Sequence, residues 1–146
     1  MMRSTKTIAA LFLVLVSMSS SVLADDKDVV KYREHVMNAL NEQSEALGQI
    51  LSTSIPDDNV TGHLDALALA ASIALKAFEP KVAGGEAKPE VWSNWADFSK
   101  RMNELAQKTA ALAKAAHEHG KEAGLANVTE ALTCKSCHEV YRHEKK

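Results

Sequence analysis

The strongest constraint on the fold is the spacing of apolar side chains in the segment after Pro89. Seven positions recur there at alternating steps of three and four residues: Trp95, Phe98, Met102, Leu105, Thr109, Leu112 and Ala116. This spacing places all of them on one stripe of an α-helix, in the pattern of helices that pack side by side. We therefore predict a long amphipathic helix that begins near Pro89 and ends near Gly120.

Turn-forming residues divide the chain into four such segments. Runs rich in Pro, Gly, Ser, Asp and Asn interrupt the apolar pattern at 54–59, 79–89 and 119–124. The predicted helical segments are 26–53, 59–78, 89–119 and 125–144, and none alternates with the period of two that is typical of a strand. Four amphipathic helices joined by short loops predict an all-α fold, an antiparallel four-helix bundle.

The first 24 residues have the three parts of a secretory signal peptide. Arg3 and Lys6 precede an apolar run at 8–16, and small residues lead to Ala24. We predict cleavage after Ala24, which makes 1–24 the signal peptide and 25–146 the mature domain. The protein is then exported, and we expect no second apolar segment to hold it in a membrane. The net charge of −2 excludes the basic surface that nucleic-acid binding requires.

The motif with a specific chemistry lies near the C-terminus, where Cys134 and Cys137 are followed by His138. C-x-x-C-H is the attachment signature of c-type haem. On a helix, residues at i, i+3 and i+4 lie on one face. The two cysteines would then form thioether bonds to one porphyrin, and the imidazole would bind the iron of the same porphyrin as an axial ligand. The sequence therefore predicts one covalently attached haem c per chain.

Other uses of the two cysteines are less well supported by the sequence. A redox dithiol of the thioredoxin type follows a strand, and no strand pattern precedes Cys134. A zinc site needs a fourth ligand at matching spacing. A structural disulfide suits an exported chain but leaves His138 without a role. In a further alternative the motif is incidental, and the chain is a helical binding module without haem.

The first helix presents two side chains that fit the opposite side of a haem. Its seam runs along Val30, Arg33, Met37, Leu40, Ser44, Leu47 and Leu51. Arg33 either pairs with a haem propionate or extends to solvent. Met37 is either the sixth ligand of the iron or an apolar side chain packed over it. His35 points to the opposite side of this helix.

Three blocks of sequence resemble the cytochrome c′ family, the class II c-type cytochromes. They are KYRE at 31–34, which leads to Met37, then GGEAKPEVWS at 84–93 and CKSCHEVYR at 134–142. The resemblance spans nearly the whole mature chain. It implies a left-handed four-helix bundle, often a homodimer through the first helix, in the bacterial periplasm.

The family also implies roles for individual residues. Cys134 and Cys137 correspond to the thioether links and His138 to the proximal iron ligand. Further haem contacts correspond by position to Arg33, Glu34 and Glu86. Arg142 follows the motif as in members where an arginine lies beside the proximal histidine.

Met37 falls at the position where the family divides into two functional groups. Many members have a five-coordinate haem that binds nitric oxide or carbon monoxide, with an apolar side chain over the iron. Others use methionine here as a ligand and carry electrons in a low-spin state. The expected function is therefore binding of small diatomic gases, electron transfer or both. The alternative is a pure electron carrier with His138/Met37 ligation.

The sequence has no further group of acidic and basic residues that indicates an enzyme. The redox partner is not identifiable from sequence.

Overall fold

The structure, a computed structural model, describes residues 25–144. The long helices are α1 (Asp26–Ser52), α2 (Val60–Ala74) and α4 (Trp95–His119), and a short 3₁₀ helix at Leu75–Phe78 extends α2. The short helices are α3 (Glu90–Ser93), α5 (Lys121–Leu125), α6 (Val128–Ala131) and α7 (Cys134–Tyr141). Within the described residues there is no β-strand, only isolated bridges from Ala87 to Gly84 and to Arg142. The predicted all-α class is confirmed, whereas the predicted signal peptide lies outside the described residues.

The long helices pack side by side along their apolar seams. α2 packs against both α1 and α4, and α4 also packs against α5. The α4 seam is buried or half-buried along its whole length, and Thr109 is fully enclosed, where its hydroxyl donates to the carbonyl of Leu105. The predicted seam of α1 is buried at Arg33, Leu40 and Leu47. Interdigitation of these seams forms one core along the bundle.

The second helix is more apolar than a surface helix needs to be. Residues Val60–Phe78 are long and apolar enough to cross a membrane by length and composition, with a mean hydropathy of 1.2. The expectation of no second membrane-competent segment is therefore not met on hydropathy alone. Burial in the core explains its apolar composition, because α2 lies between α1 and α4 and buries Leu64, Leu67 and Ala71.

The fourth predicted helix is the element that differs most from expectation. Instead of one helix at 125–144, the chain forms α6 and α7, with non-helical backbone at Asn127, Leu132 and Thr133. The segment 119–124, predicted as an interruption, contains most of α5. Asn and Thr hydrogen-bond readily to nearby backbone outside helices, which weakens a helix at these positions. The third predicted helix is likewise interrupted, at Asn94. The interruptions make α7 a separate short element that carries the C-x-x-C-H motif.

One end of the bundle is closed by close packing, and we call it the closed end. Leu47, Val60 and Leu64 are fully buried there. Gly124 of α5 packs so tightly that a Cβ atom would lie 2.6 Å from Leu64 Cδ1 and 3.1 Å from the carbonyl oxygen of Leu112. Outside this core, Lys121 donates to Asp57 across 2.6 Å and joins α5 to the loop before α2.

Candidate functional site

The opposite end of the bundle contains a cavity of about 810 Å³, and we call it the cavity end. Its wall includes side chains of α1, α4 and α7 and of the loop before α3. This volume is within the range of about 300–1,000 Å³ that small-molecule and cofactor sites have. Every site residue predicted from the sequence lines this one cavity: Arg33, Glu34, Met37, Glu86, Cys134, Cys137 and His138.

Helix α7 presents both cysteines and the histidine to the cavity. The helix begins at Cys134, so the positions i, i+3 and i+4 of the motif share one face as predicted. Both thiols are free, and burial raises the pKa of each. Burial lowers the pKa of His138, and the positive charge of Arg142 lowers it further. A neutral imidazole keeps a ring-nitrogen lone pair available for a metal.

Arg142, the residue that follows α7, contacts His138. The Nη1 of Arg142 lies 3.4 Å from the Nδ1 of His138. The Nε of the same guanidinium donates to the Oε2 of Glu86 at 2.6 Å. Glu86 belongs to the loop before α3. Its carboxylate, which we expected at a haem edge, pairs with Arg142 in this structure.

A network that sequence reasoning missed attaches α7 to α4. The Tyr141 hydroxyl donates to Asp97 Oδ2 at 2.6 Å and accepts from the side-chain amide of Asn94 at 3.1 Å. Arg101 also donates to Asp97, across 2.6 Å. Burial and the bond to Asp97 raise the pKa of Tyr141 to about 12, and hydrogen bonds from Tyr141 and Arg101 lower the pKa of Asp97.

The ring of Tyr141 completes this attachment. It is buried and meets Phe98 edge-on, with the ring centroids 5.1 Å apart. One signal in the sequence pointed to it, since Tyr141 follows His138 by three residues and therefore shares a side of α7 with it. Because α7 has only eight residues, contacts of this kind determine where His138 lies.

Arg33 is the buried charge of α1, and its partners are backbone carbonyls. Only 3% of its surface is exposed, so the alternative in which it extends to solvent is wrong. Its guanidinium donates to the carbonyl oxygens of Val82 and Gly84 and lies over the rings of Phe78 and Trp92. Burial lowers its pKa, and the neighbouring Glu34 opposes that effect. Arg33 thus fixes the loop that carries Glu86.

Met37 lies one turn after Arg33 and lines the α1 side of the cavity. It is half-buried and packs against the core, in contrast to the exposed His35 two residues earlier. The cavity wall also includes the apolar Leu40, Met102 and Leu105 and the polar Asn38, Asn41 and Ser44 of α1. A thioether in this wall is able to ligate a metal or simply to fill space.

The residues present fit a covalently bound haem c. A haem of this type requires two thiols and one imidazole on a single helical face, beside a largely apolar space. Those groups stand on α7, and α1 and α4 add the apolar side chains of Met37, Leu40, Met102 and Leu105 to a wall that also has polar residues. Within 25–144, no three His, Cys, Asp or Glu side chains converge closely enough to hold a bare metal ion.

Comparison with known proteins agrees with this site. A sequence profile described as cytochrome C' matches residues 28–142. The chain belongs to the cytochrome c′ family. The cytochrome c′ of Pararhodospirillum photometricum is 32% identical to it over 125 residues, which cover 82% of this chain and 99% of that protein.

Solved cytochrome c′ structures share the fold. A ferrous variant from Alcaligenes xylosoxidans with bound nitric oxide is 25% identical, with a TM-score of 0.71, and the match covers 84% of this chain and 99% of that one. A second variant from the same organism, with bound carbon monoxide, is 25% identical with a TM-score of 0.70 over 83% of this chain and 98% of that one. The predicted four-helix bundle is therefore confirmed.

Proposed function

We propose that this cytochrome c′ binds one haem c through thioether bonds to Cys134 and Cys137, with His138 as the axial ligand of the iron. The observation that carries the proposal is the single cavity that these three residues share with Met37 and Arg33. In this account the chain is exported and matures in the bacterial periplasm, where an oxidising compartment and haem attachment coincide.

The proposed activity is reversible binding of a small diatomic gas such as nitric oxide or carbon monoxide. The iron of the bound haem supplies the site at which such a ligand or an electron is accepted. Met37 and Leu40 of α1 restrict the space on the side of the cavity that faces away from α7. Their apolar side chains offer no hydrogen bond to a polar ligand, so they favour small ligands with a strong affinity for iron. The gas complexes of related cytochromes c′ support this proposal.

An alternative function is electron transfer with Met37 as the sixth ligand. The observation that favours it is the half-buried thioether in the cavity wall. A methionine ligand opposite a histidine raises the reduction potential of a haem. We give preference to gas binding because related cytochromes c′ form complexes with nitric oxide and carbon monoxide.

We propose a binding or carrier role rather than an enzymatic one. Two carboxylates beside the cavity are already engaged, Glu86 with Arg142 and Asp97 with Tyr141 and Arg101. Hydrogen bonds from Tyr141 and Arg101 favour the ionised form of Asp97, which makes it a weak proton acceptor. In this proposal Glu86 and Asp97 hold α7 in place.

A homodimer through the first helix is part of the same proposal. The outer surface of α1 exposes 54% of Tyr32, and α2 beside it exposes 67% of Leu69 and 44% of Ile73. Exposed large apolar side chains are common at protein interfaces. Size-exclusion chromatography with light scattering measures the assembly: a dimer supports this part of the proposal, and a monomer contradicts it.

The spin state of the iron tests the choice between the two functions. Absorption and electron paramagnetic resonance spectra are recorded for the ferric and ferrous protein and for Met37→Leu, which keeps the bulk but cannot ligate. Met102→Leu is the matched control, because Met102 lines the same cavity from α4. We expect a high-spin iron in all three proteins. A low-spin wild type that becomes high-spin only in Met37→Leu would contradict the gas-binding proposal and establish the electron carrier.

A further inference from the structure

The loop before α3 reaches the motif helix through one ion pair. The carboxylate of Glu86 accepts from the Nε of Arg142 at 2.6 Å, and Nη1 of the same guanidinium lies 3.4 Å from Nδ1 of His138. The guanidinium is a rigid planar fork, so a contact at Nε fixes the direction of its Nη atoms. Engagement by Glu86 therefore turns one end of the fork towards the His138 ring.

The pair is not an isolated surface bridge, because the backbones of both partners are joined. The backbone N–H of His143 donates to the carbonyl of Glu86 at 2.8 Å, and that of Lys88 donates to the carbonyl of Tyr141 at 2.9 Å. An antiparallel bridge between Ala87 and Arg142 lies between these two bonds. The exposed fractions of the Arg142 and Glu86 side chains are 29% and 43%, and a pair this exposed would contribute little without such anchoring.

The other end of the loop is fixed to α1. Arg33 holds the carbonyls of Val82 and Gly84. Gly85 has a φ of 63° and approaches Glu34 so closely that a Cβ would lie 2.7 Å from its Oε1. The loop thus has little freedom to carry the Glu86 carboxylate away from Arg142.

We propose that Glu86 is a positioning residue for Arg142: it holds the guanidinium beside His138 and so tunes the imidazole that binds the haem iron. This inference rests on the proposed function, because it requires His138 to be the ligand. It also replaces the role of Glu86 as a direct haem contact. Charged groups next to a ligating histidine change its basicity, and with it the strength of the metal bond. A cation withdraws electron density from the ring and weakens that bond.

The test measures the iron–histidine stretching frequency of the ferrous protein by resonance Raman spectroscopy, in the wild type, Glu86→Ala, Arg142→Gln and the double variant. If Glu86 acts through Arg142, each single variant raises the frequency and the double variant raises it no further than Arg142→Gln alone. Additive shifts in the double variant, or no shift in Glu86→Ala, overturn the inference.

The matched control is Glu139→Ala. Glu139 is an acidic residue next to His138 on α7, and its side chain is 65% exposed. Its Oε1 lies 3.9 Å from the Nζ of Lys135, so it pairs with Lys135 and not with Arg142. Its removal changes the charge near His138 by the same amount, and we expect no change in frequency. Removal of a negative charge by itself makes the surroundings of the ring more positive and lowers the frequency. A downward shift in both Glu86→Ala and Glu139→Ala would therefore mean that charge alone is responsible, which overturns the positioning role.

Failure of this inference is distinguishable from failure of the proposed function. A wild type without an iron–histidine band lacks a five-coordinate haem bound by His138 and therefore contradicts the proposed gas-binding function. A normal band in the wild type that is unchanged in Glu86→Ala contradicts only the positioning role. Circular dichroism checks that each variant keeps its helices. The substituted side chains are partly exposed, so we expect the bundle to be retained.

Discussion

The two ends of this bundle are built from the same helices but are filled differently. At the closed end, Leu47, Val60 and Leu64 are fully buried, and Gly124 lets α5 approach α2 and α4 closely. At the cavity end, the half-buried Met37 and Leu105 face a space of about 810 Å³. The apolar seams of α1 and α4 continue through both ends. Periodicity therefore predicts the bundle but not which half is filled by side chains and which half receives a cofactor.

The largest expected effect comes from truncating a leucine at the closed end. Leu64→Ala removes a fully buried side chain in close-packed surroundings, and we expect a loss of about 2–5 kcal/mol in the free energy of unfolding. The haem absorption spectrum should stay unchanged, because Leu64 is absent from the cavity wall. Denaturant unfolding and absorption measure the two quantities.

Leu105→Ala is the matched truncation at the cavity end. Leu105 is half-buried and lines the cavity, so the expected stability loss is smaller, whereas the absorption spectrum or the gas-binding rate should change. Equal stability losses together with unchanged spectra in both variants would contradict the division of the bundle into two ends.

A smaller effect is expected from adding one methyl group at the closed end. Gly124→Ala would place its Cβ 2.7 Å from that of Ala116 and 3.1 Å from the backbone oxygen of Leu112, which cannot move away easily. We expect a loss of about 1–3 kcal/mol in unfolding free energy. The control is Gly48→Ala on α1, where no atom lies within 4 Å, and a gain of about 0.5–1 kcal/mol is expected. Thermal unfolding that ranks Gly124→Ala as the more stable variant would contradict the packing described.

The smallest effect concerns pH and compares one carboxylate at each end. The pKa of Asp97 is lowered by hydrogen bonds from Tyr141 and Arg101, and that of Asp57 by Lys121. A lowered folded-state pKa stabilises the fold above the ordinary aspartate value of about 3.9, and this stability is lost as pH falls through the folded-state pKa. Asp97→Asn and Asp57→Asn should therefore lower the melting temperature at pH 6, and the difference from the wild type should shrink as the pH falls below the ordinary aspartate value.

The haem spectrum separates these two variants. Asp97 lines the cavity and holds Tyr141 of α7, so we expect Asp97→Asn to shift the absorption spectrum and Asp57→Asn to leave it unchanged. A spectral shift in the Asp57 variant, or a difference in melting temperature that stays constant as the pH falls below the ordinary aspartate value, would contradict this assignment.

Much of the site was predictable from local sequence spacing. The C-x-x-C-H motif needs only one helical turn to bring its three side chains to one face, and the seam of α1 brought Arg33 and Met37 to the cavity. The partners of Arg33 were not predictable, since they are backbone carbonyls of a loop 49 and 51 residues away. The contacts of Glu86 with Arg142 and of Asp97 with Tyr141 span 56 and 44 residues for the same reason.

The interruptions of the last helical segment were also not predictable from the spacing of apolar residues. Leu125, Val128 and Leu132 have helical spacing, and local propensity at Asn127 and Thr133 only weakens a helix. Tertiary contacts decide the outcome, because Gly124 fixes α5 in the closed end and Tyr141 fixes α7 against α4.

The central claim is that Cys134, Cys137 and His138 at the cavity end hold one covalently attached haem. The most direct measurement is the intact mass of the denatured protein after export in cells with a working haem-attachment system. We predict the mass of the chain without residues 1–24 plus one haem, and loss of the added mass in the variant with both Cys134→Ala and Cys137→Ala. A wild-type mass without haem, or haem that remains attached in the double variant, would contradict the account.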